Sequence, residues 1–300
     1  MRDTSAGPRP SLAQALEQAA ALLDRAGVQN GRREATSLWA ALAGIAPTEA
    51  WIRRDRPASG AVSVQFWEAV ARRSSGVPFA YAVGQTAFRQ LELKVDPRAL
   101  IPRPETEGLV DLVLRWAGEG KGDAGRRKGG TAADIGTGCG CIALSLAVEG
   151  TFERVVAVER SPDAAALARE NVELIRPSVP VEVREGDLIA PLGEERFRVI
   201  VANLPYLTVE EYEALDPSVR SFEPKEALVS GFDGLDATRA LLTNAGARLA
   251  PGGLLALEID ERRADTVRAL AHAGGWARTT IREDLFGRPR YALVFPREDV

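Results

Sequence analysis

The residues best placed to do chemistry are Asn203-Leu204-Pro205-Tyr206. They follow Val199 to Ala202, an apolar run of strand length, so a buried strand delivers the Asn203 carboxamide to its carboxyl end. Open α/β sheets bind ligands at that edge. Pro205 has no N–H and holds Leu204 extended, which keeps the Leu204 carbonyl out of a helix or ladder and leaves it for a substrate. The Asn203 oxygen is a second acceptor. Two acceptors and the aromatic face of Tyr206 suit a planar group bearing NH₂, either a carboxamide or the exocyclic amine of a base. A plain turn after a strand would read the same way, so the meaning depends on what precedes it.

A second cluster begins at Asp134-Ile135-Gly136-Thr137-Gly138-Cys139-Gly140, where a strand gives way to a helix. Glycines at alternate positions permit a sharp turn and close approach of a ligand, and the helix amides that follow favour an anionic group. The dinucleotide fingerprint G-x-G-x-x-G is not met, since Gly136, Gly138 and Gly140 form G-x-G-x-G. The shorter loop, with Thr137 and Cys139 between the glycines, fits a cofactor without a pyrophosphate. Twenty-five residues after Asp134 the next strand ends in Glu159, where a ribose would offer two hydroxyls. A third strand ends in Gly186-Asp187-Leu188, so Asp187 could accept from an adenine amine while Leu188 covers the ring. Each acid alone is more often a cap or a solvated loop residue, and only their placement after successive strands gives them weight.

Composition removes several alternatives. The chain has 300 residues, 45% of them hydrophobic, enough for a sizeable core and two domains. No run of about 18 apolar residues occurs and the first residues contain no apolar signal core, which predicts a cytoplasmic protein. Cys139 and Cys141 are too close to staple a fold, and with the single His272 they make no metal site. Both cysteines read as small residues packed under the loop, and a thiol lowered at the start of the following helix is the unsupported alternative. One histidine also speaks against a Ser-His or Cys-His pair. Net charge is −4, unlike a protein that grips long nucleic acid by its phosphates. Yet residues 1–75 carry ten arginines against seven acids, and Arg32-Arg33, Arg53-Arg54-Arg56 and Arg72-Arg73 could form a docking face.

The positioning elements follow from periodicity. Ser11 with Gln14 is a capping box, and apolar residues from Leu12 to Ala26 recur on one helical face until Gly27. Further helices are predicted over Arg33 to Ala43 and Val62 to Arg73, making residues 1–75 a small helical bundle for substrate recognition. Phe79 to Val83 and Phe88 to Val95 read as extended pieces about Gly84, so 76–97 is predicted to be a linking hairpin. In Leu100 to Glu107 the two prolines hold Arg103 extended, and Pro104 opens a helix whose positive end favours Glu105 and Glu107. Gly118 to Gly130 reads as loop. Beyond it strands are predicted near Ala132 to Ile135, Arg154 to Glu159, Val181 to Glu185, Arg198 to Ala202, Leu254 to Ile259, Thr279 to Arg282 and Tyr291 to Phe295. Helices lie between most of them, near Cys141 to Val148, Pro162 to Leu174, Leu235 to Leu249 and Arg262 to His272. That alternation predicts an α/β fold, a mostly parallel seven-stranded sheet with an antiparallel edge, over 98–300.

With these pieces in order, the chain resembles the class I S-adenosylmethionine-dependent methyltransferases and, within them, the release factor glutamine methyltransferases, the HemK or PrmC family. The resemblance covers nearly the whole chain: P-F-A-Y-A-V-G-Q-T-A-F from Pro78, L-I-P-R-P-E-T-E from Leu100, D-I-G-T-G-C-G-C-I-A-L-S-L-A from Asp134, N-L-P-Y at Asn203, F-E-P-K-E-A-L-V-S-G-F-D-G-L from Phe222 and E-D-L-F-G-R-P-R from Glu283. It implies a Rossmann-like methyltransferase domain that binds S-adenosylmethionine at Gly136 to Gly140, with Glu159 on the ribose and Leu188 beside the adenine. It implies that Asn203 to Tyr206 hold the glutamine of a GGQ stretch in a peptide chain release factor, with Asn203 also at the cofactor. A monomer with no membrane partner is expected. Two departures stand out. Leu204 replaces the first proline of the family's Asn-Pro-Pro-Tyr, keeping the carbonyl but freeing Asn203 from the pre-proline restriction, and Glu159 stands where aspartate is usual. An adenine amine in RNA or DNA would satisfy the same acceptors, and a non-catalytic nucleotide-binding module is the remaining reading. Overall acidity and the family-specific segments favour a protein substrate.

Overall fold

In the computed structural model, which describes residues 10–58, 60–119 and 129–297, the chain divides into two compact units at Gln85/Thr86. The Gly118 to Gly130 segment read as loop lies mostly outside the described residues, as do the first nine.

The first unit holds α1 (Leu12–Arg25), α2 (Gly31–Ala43), α3 (Pro47–Ile52), α4 (Ala61–Ser74) and α5 (Phe79–Val83). The expected capping box forms, with the Ser11 hydroxyl accepting from Gln14 and the Gln14 side chain accepting from the Ser11 N–H. Leu12, Leu16, Leu23, Leu38 and Phe66 build the core, and Phe66 meets Trp39 and Trp67 edge-on at 5.3 Å centroid distances. The arginines do not form one unbroken basic face. Arg73 is paired with Glu34 at 2.5 Å, Arg53 with Glu49, and Arg54 lies over the Trp51 ring at 4.0 Å.

Residues 76–97 are not one hairpin. Phe79–Val83 is a short helix, closed by Gly84 at φ +88°, and the hairpin follows it as β1 (Gln85–Phe88) and β2 (Leu91–Lys94). Five residues of mixed aromatic and small side chains satisfy either period, and the Pro78…Gly84 bracket favours the helix.

The second unit continues with α6 (Pro104–Glu119), β3 (Thr131–Ile135), α7 (Cys141–Glu149), β4 (Arg154–Glu159), α8 (Pro162–Ile175) and β5 (Val181–Glu185). Then come β6 (Phe197–Ala202), α9 (Val209–Glu213), α10 (Pro217–Phe222), α11 (Asp236–Asn244), β7 (Leu249–Glu258), α12 (Ala264–Ala273), β8 (Arg278–Glu283) and β9 (Pro289–Phe295). The seven strands are ordered β5-β4-β3-β6-β7-β9-β8. β3 to β7 run parallel, and β9 inserts antiparallel between β7 and the edge strand β8. The fold class expected from the alternation is the one observed. β3 and β6 pair directly, Ile135 opposite Ala202, and the strand order reverses between them. That reversal opens a crevice at the carboxyl ends of the strands, where side chains at both tips are exposed to a common ligand.

Candidate functional site

A cavity of about 700 Å³ occupies this crevice, within the size range of small-molecule sites. One wall is the glycine turn after β3. Gly136, Gly138 and Gly140 have φ of +72°, +57° and +89°, the left-handed region that side chains rarely adopt. The turn is clamped from two sides. Glu159, at the end of β4, accepts the Gly138 N–H on Oε2 and the Ser161 N–H on Oε1, both at 2.9 Å. A carboxylate has about four lone-pair positions, so Glu159 keeps acceptors free toward the cavity it lines. On the other side Asn171 of α8 donates from Nδ2 to the Cys139 carbonyl at 2.8 Å, and it exchanges two hydrogen bonds with the Lys94 backbone. The buried Asn171 thereby ties the β1–β2 hairpin to the glycine turn.

Beneath the turn lies Asp134, fully buried. Its Oδ2 accepts the Thr137 hydroxyl at 2.6 Å and the Ala143 N–H at 3.0 Å, while Oδ1 has no partner among the described residues. Burial raises its pKa to about 7 against those two hydrogen bonds. Asp187 and Leu188 line the cavity after β5, and Leu188 holds φ +47°, a strained value for a leucine. Thr137 and Cys139 line it as well. The Cys141 thiol is pushed up, not down, by its hydrogen bond with Cys139 and by burial, so an activated thiolate at this helix start is ruled against.

The opposite wall is the tip of β6. Asn203, Leu204 and Pro205 all face the cavity. The Leu204 side chain is buried, and its Cδ2 lies 3.1 Å from where a Cβ on Gly136 would stand, so the tips of β3 and β6 are in contact. The Leu204 carbonyl accepts none of the turn and loop backbone hydrogen bonds among the described residues. Asn203 donates from Nδ2 to Thr106 Oγ1 at 3.0 Å, and Thr106 donates in turn to Glu258 Oε2 at 2.8 Å. Tyr206 is not brought to the cavity wall with its three neighbours. Burial, with the nearby Glu258 and Asp260 charges, pushes its phenol up to about 12.

The rim contains an anchor that the sequence reading did not single out. Glu223, whose side chain is 1% exposed, accepts the Ile101 N–H at 3.1 Å and Arg103 Nη2 at 2.7 Å, holding the Leu100-to-Glu107 stretch against the Phe222-to-Leu235 stretch. Glu223→Ala is expected to lower unfolding stability by about 2–4 kcal/mol, because it strands a backbone donor and a guanidinium. Urea denaturation checks this, and a loss below about 0.5 kcal/mol would show the anchor idle. Thr106 and Glu258 were missed too. Thr106 gives no signal inside a helix start, whereas Glu258 ends an apolar strand as Asn203 and Glu159 do and could have been found by that rule.

Two family descriptions match the chain, "PrmC N-terminal domain" over residues 14–84 and "Methyltransferase small domain" over residues 124–216. A release factor glutamine methyltransferase of Moorella thermoacetica is 38% identical over 290 residues, covering 96% of this chain and 100% of that protein. One from Deinococcus radiodurans is 37% identical, covering 92% of this chain and 95% of the relative. Among solved structures, a methyltransferase from Pyrococcus furiosus is similar in fold, with TM-score 0.53 and 22% identity over 75% of this chain and 98% of that one.

Proposed function

The chain belongs to the release factor glutamine methyltransferase family, and from that premise we propose that it transfers a methyl group from S-adenosylmethionine to the side-chain amide nitrogen of the GGQ glutamine in a peptide chain release factor. The observation that carries this reading is the contact between two strand tips across one cavity, the glycine turn on one side and the Asn203-Leu204 acceptors on the other.

The residues fit the cofactor. A Cβ on Gly138 would project into open cavity, the Glu159 carboxylate keeps free acceptors, and the orphaned Asp134 Oδ1 lies under the same turn. Gly136 to Gly140 would hold the amino-acid end, Glu159 the ribose, and Asp187 with Leu188 the adenine. Bound there, S-adenosylmethionine supplies a methyl group already activated on a positively charged sulfur. The protein's remaining task is orientation. An amide nitrogen is a poor nucleophile because its lone pair is shared with the carbonyl, and Asn203 Oδ1 and the Leu204 carbonyl accepting its two N–H groups would turn that pair toward the methyl. No histidine stands in the cavity to act as base, and the acidic alkylated amide can lose its proton to water. Tyr206, partly buried behind the strand tip, would pack beside the substrate amide at the edge of the cavity.

A protein substrate is supported by the rim. Of the three arginines on the cavity wall among the described residues, Arg98 is engaged by Asp96 and Glu170 and Arg103 by Glu223, which leaves Arg160 for a phosphate. On α3, Trp51 is 63% exposed and Ile52 74%, an apolar surface suited to a protein partner. Among the described residues no helix is long and apolar enough to cross a membrane, in keeping with a cytoplasmic substrate. The test is a labelled-methyl assay offering purified release factor and ribosomal RNA side by side, with mapping of the product. Label on the GGQ glutamine alone is expected, and label only on adenine amines would replace this reading.

A further inference from the structure

The Asn203 carboxamide has two ends of similar shape and opposite hydrogen-bonding character, and only one of them can receive a substrate N–H. We infer that Glu258, acting through the Thr106 hydroxyl, fixes which end faces the cavity, so that Thr106 and Glu258 are positioning residues of the transfer, a role that rests on the acceptor function assigned to Asn203 above.

Three side chains, Glu258, Thr106 and Asn203, form the relay. Glu258 is the last residue of β7, next to β6 in the sheet, where Leu257 pairs with Ala202. It is 4% exposed. Thr106 lies in the first turn of α6 and is 1% exposed. A hydroxyl has a single proton, and an ionised carboxylate can only accept, so the Thr106 proton is committed to Glu258 at 2.8 Å. Only lone pairs of Thr106 Oγ1 then remain for Asn203, and only the amide's NH₂ end can meet them, as it does at 3.0 Å. Oδ1 is consequently turned to the other side. Were the carboxylate replaced by a donor, the Thr106 proton would be released to Asn203 Oδ1 and the carboxamide could reverse, presenting N–H groups to an amide that itself needs acceptors.

Burial raises the Glu258 pKa to about 7 against its hydrogen bond from Thr106. Protonation as pH falls through that value supplies the donor just described, so turnover should fall on the acid side. The other groups facing Glu258 are Arg290 and Tyr291 of β9, Glu105 and Arg103 at the start of α6, and Tyr206 after β6. Arg290 is shifted up and stays charged, and both tyrosines are pushed up to about 12 and stay neutral. Glu105 is the other carboxylate, and Glu105→Gln serves as its control. Asp134 is also raised to about 7, and because kcat still reports groups that titrate in the bound complex, Asp134→Asn is profiled beside Glu258→Gln as a second control.

The experiment measures kcat, KM and the pH profile with release factor as substrate, and cofactor affinity by calorimetry. Thr106→Val is expected to lower kcat ~10–100-fold, the usual cost of losing an orienting partner, with cofactor affinity within about threefold and Thr106→Ser restoring most of the rate. Glu258→Gln should lower kcat similarly and abolish the acid limb, which Glu105→Gln retains. A Thr106→Val rate within about twofold of the parent, or an acid limb that survives in Glu258→Gln, overturns the relay. Should Glu258→Gln fail to fold, the Thr106→Val and Thr106→Ser pair decides alone. Asn203→Ala in the same series separates the two claims. If it keeps turnover the acceptor reading itself falls, and if it loses turnover while Thr106→Val does not, only the relay falls.

Discussion

Asn203→Ala is expected to lower kcat for methyl transfer by about 10²–10³-fold, the effect of removing one preorganised hydrogen-bonding group from a reacting centre. Cofactor affinity should stay within about threefold. The asymmetry follows from position. Asn203 lies at the tip of β6, opposite the glycine turn, and among the described residues its one side-chain hydrogen bond is to Thr106. Truncation therefore removes an acceptor aimed at the substrate while leaving the Glu159 clamp on Gly138 intact. The Leu204 carbonyl, a main-chain group, survives and accounts for residual activity. Single-turnover transfer of labelled methyl, run beside calorimetric titration with cofactor, separates the two effects. A loss shared equally between binding and rate would mean that Asn203 supports the cofactor more than the substrate.

The second large effect is expected at the glycine turn. Gly138 holds φ +57°, its N–H is bound by Glu159, and a Cβ there would project into the cavity with only the Ala99 Cβ near, at 3.9 Å. Gly138→Val combines about 1–3 kcal/mol of backbone strain with a branched side chain in the space the cofactor needs. Cofactor affinity should weaken by more than about 100-fold, while the melting temperature falls by only a few degrees. Gly44 is the control, because it is left-handed at φ +63°, stands exposed with nothing within 4 Å of its Cβ position, and lies outside the cavity wall. Gly44→Val should lose stability with unchanged cofactor affinity. Equal loss of affinity in both variants would assign the effect to general unfolding.

The inner parallel strands β4 and β6 were legible because they are buried on both faces and read as unbroken apolar runs: Val155 to Val158 and Val199 to Ala202 are fully buried, whereas the edge strand β5 is V-E-V-R-E and only partly covered. The tip residues were legible for the same reason, since a polar side chain after such a run has only the ligand edge to occupy. Other features depend on contacts far apart in sequence. The insertion of β9 between β7 and β8 is a choice of neighbour and not of period. Phe79–Val83 carries too few residues to tell a helix from a strand. The aromatic face of Tyr206 looked suited to a substrate, but burial beside Glu258 and Asp260 takes the ring out of the cavity wall. The connection from Glu258 to Asn203 spans three elements, and Thr106 sits 152 residues from its carboxylate partner. Residue type and local spacing cannot disclose such a pairing.

The central claim is that one side-chain oxygen and one main-chain oxygen hold a substrate amide at the junction of β3 and β6. Its most direct test is a crystal structure of the chain with S-adenosylhomocysteine and a glutamine-containing GGQ peptide. The account predicts the glutamine amide nitrogen within about 3.2 Å of both Asn203 Oδ1 and the Leu204 carbonyl oxygen, on the cavity side of the tip. An amide seated elsewhere, or an Asn203 presenting its NH₂ end to the peptide, would contradict it.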